Sequence, residues 1–212
     1  MNALRRLRIR AIVLALATLL LGACSLLGRP EPLVILAPRA PMMTLDAGLA
    51  VDWSIQIQRP MADQMRDSDR VLVRRAPARL QVYPGVAWLD SVPEMLQSMM
   101  IQAFADSHGF ASVSRAGAVR TRFGLNTELR SFELVDDAEG RRVELALQAS
   151  LVHQRTGRVV SSRSFTVRSQ VLSGDLDAVV LAFESALAEL LPQLVQWARD
   201  AGQVSIERDG RS

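Results

Sequence analysis

Few side chains in this 212-residue chain could do chemistry. It has one cysteine, Cys24, two histidines, His108 and His153, and no lysine, so all 25 basic residues are arginine. Schiff-base, P-loop and other lysine-dependent chemistry is excluded. One Cys and two distant His cannot assemble a zinc or iron–sulfur site by spacing. Each His therefore reads as a surface or capping residue. There is no Gly-x-Ser-x-Gly elbow and no His-Glu-x-x-His helix. Asp136 and Asp137 are adjacent, which suits a solvated turn better than an acid/base pair. The inventory reads as a non-enzyme with no metal and no cofactor.

Cys24 is the exception, because of what precedes it. Arg5, Arg6, Arg8 and Arg10 make a basic start, and Ala11 to Leu21 is an apolar run too short for a bilayer span of roughly 20 residues. That is signal-peptide anatomy. Leu21-Gly22-Ala23-Cys24 then resembles a bacterial lipobox. The resemblance implies cleavage between Ala23 and Cys24 and an N-acyl diacylglyceryl Cys24 carrying palmitate-type chains. At about 0.8 kcal/mol per buried methylene, several chains anchor stably where one is marginal. Ser25, in the sorting rule this resembles, sends the protein to the outer membrane. The charge balance agrees with this division. The formal net charge of +3 becomes −1 once the four leader arginines are removed, so a nucleic-acid partner has no electrostatic footprint.

Burial must position whatever the mature chain presents, since no disulfide is available. We read residues 1–23 as signal peptide and 24–50 as a lipid-anchored tether with one short strand, Leu33-Val34-Ile35-Leu36. Residues 51–202 form a single α+β domain, and 203–212 a disordered tail. Val51 to Gln58 alternates with Trp53, Ile55 and Ile57 on one side, and short strands follow at Arg70–Arg75 and Arg79–Tyr83. Ser91-Val92-Pro93-Glu94 reads as a capping box. Val92, Leu96, Met99, Met100, Ala103 and Phe104 then share one helical face, stopped by Gly109. The methionines at that spacing are core rather than a ligand stripe.

Thr121 to Val135, Val143 to Leu151 and Val159 to Ser169 form an antiparallel meander. The first of these changes apolar parity between Leu129 and Phe132, which suggests a bulge near Arg130. A last apolar stripe runs from Asp175 to Arg199, with Pro192 expected to kink or split it and Gly202 to cap it. The order β-β-β-β-α-β-β-β-β-α predicts a mixed, largely antiparallel sheet packed by two main helices.

These residues resemble the ABC-type transport auxiliary lipoprotein family (paraquat-inducible protein C and YmbA-like) over about residues 33–200. The most specific stretch is Asp69-Arg70-Val71-Leu72-Val73-Arg74, then Leu80 to Asp90 with Pro84-Gly85-Val86-Ala87-Trp88-Leu89. It continues in the helix from Ser91, in Phe123 to Phe132, and in the closing helix with Trp197. Two departures stand out: Leu33-Val34-Ile35-Leu36 replaces a Tyr-rich strand, and Ala87 stands where an Arg often precedes the Trp. The resemblance implies a non-catalytic outer-membrane lipoprotein on the periplasmic face, serving an ABC transporter with mammalian-cell-entry domains in envelope lipid transport. Its implied partners are periplasmic transporter subunits, with a homo-oligomer as one way to multiply weak contacts. Arg70, Arg74, Trp88 and Asp90 are the candidate partner-binding residues, with a core role as the bland reading of Trp88. The runner-up function is an outer-membrane assembly or lipopolysaccharide-export lipoprotein. A periplasmic hydrolase lacks any nucleophile–base pair.

Overall fold

Side-chain parity decides which face of a sheet each residue enters, and here it is kept over long stretches. A computed structural model of the chain describes residues 32–39 and 50–211. The whole signal-peptide reading, including Ala23, lies outside the described residues, as do Cys24, Ser25 and the rest of 24–31 and residues 40–49 of the expected tether. The strands are β1 (Val34–Leu36), β2 (Ser54–Ile57), β3 (Arg70–Arg75), β4 (Arg79–Trp88), β5 (Ser112–Arg115), β6 (Phe123–Asp137), β7 (Gly140–His153) and β8 (Val159–Gln170). Helix α1 (Val92–Asp106) falls between β4 and β5, and α2 (Leu176–Asp209) closes the chain. The fold is α+β, as expected.

All eight strands belong to one mixed sheet, in which β6 is the hub. Along one edge it pairs antiparallel with β7 from Phe123↔His153 to Asp137↔Gly140, and β7 continues to β8. Its other edge is shared. β2 runs parallel to its first residues (Ile55↔Phe123) and β3 parallel to its last (Leu72↔Glu133). The bulge falls where the parity change places it, with a register shift between Leu129 and Ser131. One extra residue, Arg130, lets Leu125 and Leu129 before it and Phe132 and Leu134 after it all reach the core. Short parallel ladders add β1 beside β4 and β5 beside β2, so the long ladders are antiparallel and the short ones parallel. β1 is thus a member of the sheet. β5, flanked by Gly109 and Gly117, is too short and polar for periodicity to locate.

Both helices pack their apolar faces into the core cluster that the inner face of the sheet builds. In α1 the six expected residues are all buried. The capping box does not form. The Ser91 amide donates to Asp90 Oδ1 at 2.7 Å, and Glu94 is engaged by Arg59 and Arg115 instead. The left-handed residue after α1 is His108 (φ 49°) rather than Gly109, so His108 does serve at a helix end.

The closing helix departs most from expectation. It runs unbroken through Pro192 and Gly202 to Asp209, so residues 203–209 are helix and not a disordered tail. Pro192 removes one amide and orphans the carbonyl of Ala188. Ala188 is exposed, so water can satisfy that carbonyl, while Leu190, Leu191, Leu194 and Val195 hold both flanks in the core. Gly202 is not a cap because the helix needs a bare backbone there. A Cβ on it would lie 2.5 Å from Trp53 Cζ2 and 2.7 Å from Cη2. By length and composition α2 could cross a membrane, but 56% of its most apolar window is buried, and Leu187, Leu191 and Leu194 are fully covered. It is the core helix of this domain.

Gly202→Ala tests that contact. Helix propensity alone favours Ala by up to about 1 kcal/mol, whereas forcing a methyl group into a packed core costs about 1–3 kcal/mol. Trp53 is wedged edge-on against Phe110 and Phe123 at 5.1 and 4.8 Å and cannot swing away. Denaturant titration should therefore show net destabilisation, removed when Trp53 is also shortened to Leu.

Candidate interaction surface

The outer face of the sheet carries charges at positions where strand alternation leaves β3, β6, β7 and β8 uncovered by helix. Glu133 is the anomaly among them. It is 1% exposed, between Phe132 and Leu134 in β6. A carboxylate taken from water needs partners. Arg66, from the turn before β3, donates to Glu133 Oε1 and also to Asp63, and Arg74 Nε lies 3.2 Å from Oε2. Arg74 in turn reaches Glu144 in β7, which accepts from Arg168 Nε of β8 at 2.8 Å. One chain of alternating charge thus ties the Asp63 turn to four strands.

A second set fastens the start of α1. Arg59 pairs with Asp67 at 2.5 Å and Glu94 at 2.6 Å, and Arg115 reaches Glu94 at 3.2 Å as well as Gln97. The buried Gln97 donates from Nε2 to the Ile57 carbonyl at 2.9 Å, so this cluster joins β2, β5 and α1. Its titration follows from the pairing. The hydrogen bond from Arg59 holds the Asp67 carboxyl below its usual range, and Asp67 and Glu94 raise the Arg59 guanidinium. Burial pushes Asp63 up, but Arg66 outweighs it and the net shift is downward.

The four candidate partner-binding residues separate. Arg70 is exposed and stands opposite Ala87 in the β3–β4 ladder, while Asp90 is exposed just beyond β4. These two share one end of the hairpin. Arg74 sits about 13 Å further along β3 and is committed to Glu133 and Glu144. Trp88 is 1% exposed, edge-on to Phe132 at 5.4 Å and Phe183 at 4.9 Å. Its ring is core, so a partner could sense Trp88 only through what it supports. His153 is also buried, edge-on to Phe123 at 5.6 Å, and not a surface histidine. Asp136 and Asp137 each take a separate arginine, Arg75 at 3.3 Å and Arg142 at 2.9 Å. Among the described residues no three His, Cys, Asp or Glu side chains converge as a metal site. Sequence reasoning missed Arg59, Arg66 and Glu133. A lone Glu inside the apolar run Phe132 to Val135 was the available signal for the last.

What this architecture defines is a class: an α+β domain whose exposed chemistry is arginine–carboxylate pairing. Residues 35–195 match the model of the ABC-type transport auxiliary lipoprotein component, and the chain belongs to that family. The crystal structure of protein XCC0632 from Xanthomonas campestris is 33% identical, with a TM-score of 0.76 over 84% of this chain and 100% of that one. Protein bll6063 of Bradyrhizobium diazoefficiens is 28% identical over 176 residues, covering 80% of this chain. The match spans 46% of that relative, about half its length. The hypothetical protein CT253 of Chlamydia trachomatis shares the fold alone, at 7% identity and TM-score 0.50 over 70% of this chain and 98% of that one.

Glu144 offers a titration test. Burial raises its pKa, but Arg168 and Arg74 together outweigh burial and hold it below its ordinary 4.5. With the folded pKa below the unfolded one, its contribution is complete above the unfolded value. It is lost as pH falls through the folded value. Glu144→Gln should thus lower stability at pH 7 and flatten the loss that wild type shows below about pH 4.5. Denaturant midpoints collected across that range check both halves.

Proposed function

We propose that the protein is a non-catalytic, lipid-anchored auxiliary component of an ABC/mammalian-cell-entry-type system that moves lipid across the cell envelope. Acylated Cys24 would hold it in the outer membrane, with the domain from Val34 onward in the periplasm. The observation that carries this reading is the family match over nearly the whole domain, together with the lipobox-like Leu21-Gly22-Ala23-Cys24 ahead of it. A tether of some ten residues, 24–33, ahead of β1 supports it physically. Confining a domain to a membrane face raises its effective concentration toward a conduit arriving there, so weak contacts suffice.

The test is co-purification from membranes of the native host. Wild type should bring down a periplasmic or membrane subunit of such a transporter, and deleting the gene should cause the same detergent sensitivity as deleting that subunit. Cys24→Ala should accumulate as unprocessed precursor and recover less of the subunit. Arg70→Glu is the usable surface probe, because Arg74→Glu would face Glu133 and Glu144 and disturb the fold. Recovery of outer-membrane assembly or lipopolysaccharide-export proteins instead would overturn the transport reading.

A further inference from the structure

One flank of the molecule stays open. Among the described residues β8 pairs only with β7, which leaves its other edge, 12 residues long, without a neighbour. Beside that edge runs a groove of about 710 Å³ between the first half of β8 and the face of α2 from Gln193 to Arg208. Fifteen helical steps make it about 22 Å long, the length of roughly seven residues in extended conformation. Its apolar lining is Trp197 with Val160 and Val204, set among polar side chains such as Gln193 and Gln196. The buried Phe165 backs Trp197 edge-on at 5.7 Å.

The charge is one-sided. Arg158, Arg163 and Arg208 line the groove with a single acid, Asp200. Asp200 is already held by Arg199 at 2.6 Å, and Arg158 pairs with Asp209 at 3.2 Å on the exposed surface. Arg163 lies over the Phe165 ring at 5.0 Å. Neither it nor Arg208 has a carboxylate within ion-pair distance among the described residues. A bare strand edge is a template for another strand. Two copies of β8 meeting edge to edge would bring these arginines together, which like-charge repulsion opposes.

We propose that this flank binds an acidic, extended segment of a partner protein, which adds to the sheet as a strand on β8. Main-chain hydrogen bonds to the free edge supply affinity, as in other strand-addition complexes. Alternate side chains of the added strand fall on the α2 side. Carboxylates there meet Arg163 and Arg208, and aliphatic groups rest against Trp197 and Val204. The inference deepens the partner reading above by naming the chemistry of the bound segment. Its test uses no transporter subunit, so failure of the peptide and failure of co-purification are separate results.

The experiment is amide chemical-shift mapping of the detergent-solubilised full chain with an acetylated peptide, Glu-Thr-Val-Thr-Glu-Thr-Val. Saturable shifts should appear along Val159–Gln170 and in α2 from residue 193 onward. Replacing both Glu by Gln, or Arg163 and Arg208 together by Gln, should weaken binding about tenfold. Proline at the central Thr, which removes a ladder amide, should abolish it. Equal binding of the proline peptide would reduce the site to charge attraction and overturn strand addition. No shift at millimolar peptide would overturn the proposal. So would perturbation of the same residues by phosphatidylglycerol vesicles with none by peptide, which would make the flank a membrane surface.

Discussion

Strand β6 must keep one face in the core along its full length while three other strands lean on its two edges. Among the described residues no other element is under that demand. The β7 ladder follows it from end to end, and β2 and β3 divide the opposite edge. The 15 residues of β6 keep one face inward only with one change of parity, between Leu129 and Phe132. Arg130 supplies it. The extra residue turns the second half so that Phe132 and Leu134 point where Leu125 and Leu129 pointed, and both halves enter one core cluster. The same turn aims Glu133 at the outer face, where Arg66 and Arg74 neutralise it.

Much of this was legible because period-2 and period-3.6 burial leave direct traces. The bulge, the meander and the apolar face of α1 all stood in the sequence as parity. What failed to show depended on contacts between distant residues. Pro192 and Gly202 look like a break and a stop when α2 is read alone. Exposure of Ala188 makes the first harmless, and the Trp53 ring makes the second a packing requirement. Ser91 and Glu94 have capping-box spacing, yet Arg59 and Arg115 outcompete the helix for the carboxylate. Charged partners from other elements carry no local pattern.

The candidate surface was legible to a smaller degree for the same reason. Arg70 and Asp90 are exposed at one end of a hairpin. Arg74 and Trp88 are consumed by the fold, one by buried carboxylates and the other by Phe132 and Phe183. The open flank at β8 could not be foreseen from the periodicity, which marks a strand but not which edge lacks a neighbour. The end of its helical wall, Val204 to Arg208, exists because α2 continues past Gly202.

On the function proposed above, the domain holds a partner in place along one basic strand edge. Photo-crosslinking in living cells addresses that claim most directly. A photoreactive residue at Ser161, on the β8 edge, is compared with one at Val119, an exposed residue in the β5–β6 connection. The account predicts a product at Ser161 joining this chain to an acidic segment of a transporter subunit, with none at Val119. Equal products at both positions, or only crosslinks to lipid at Ser161, would contradict it.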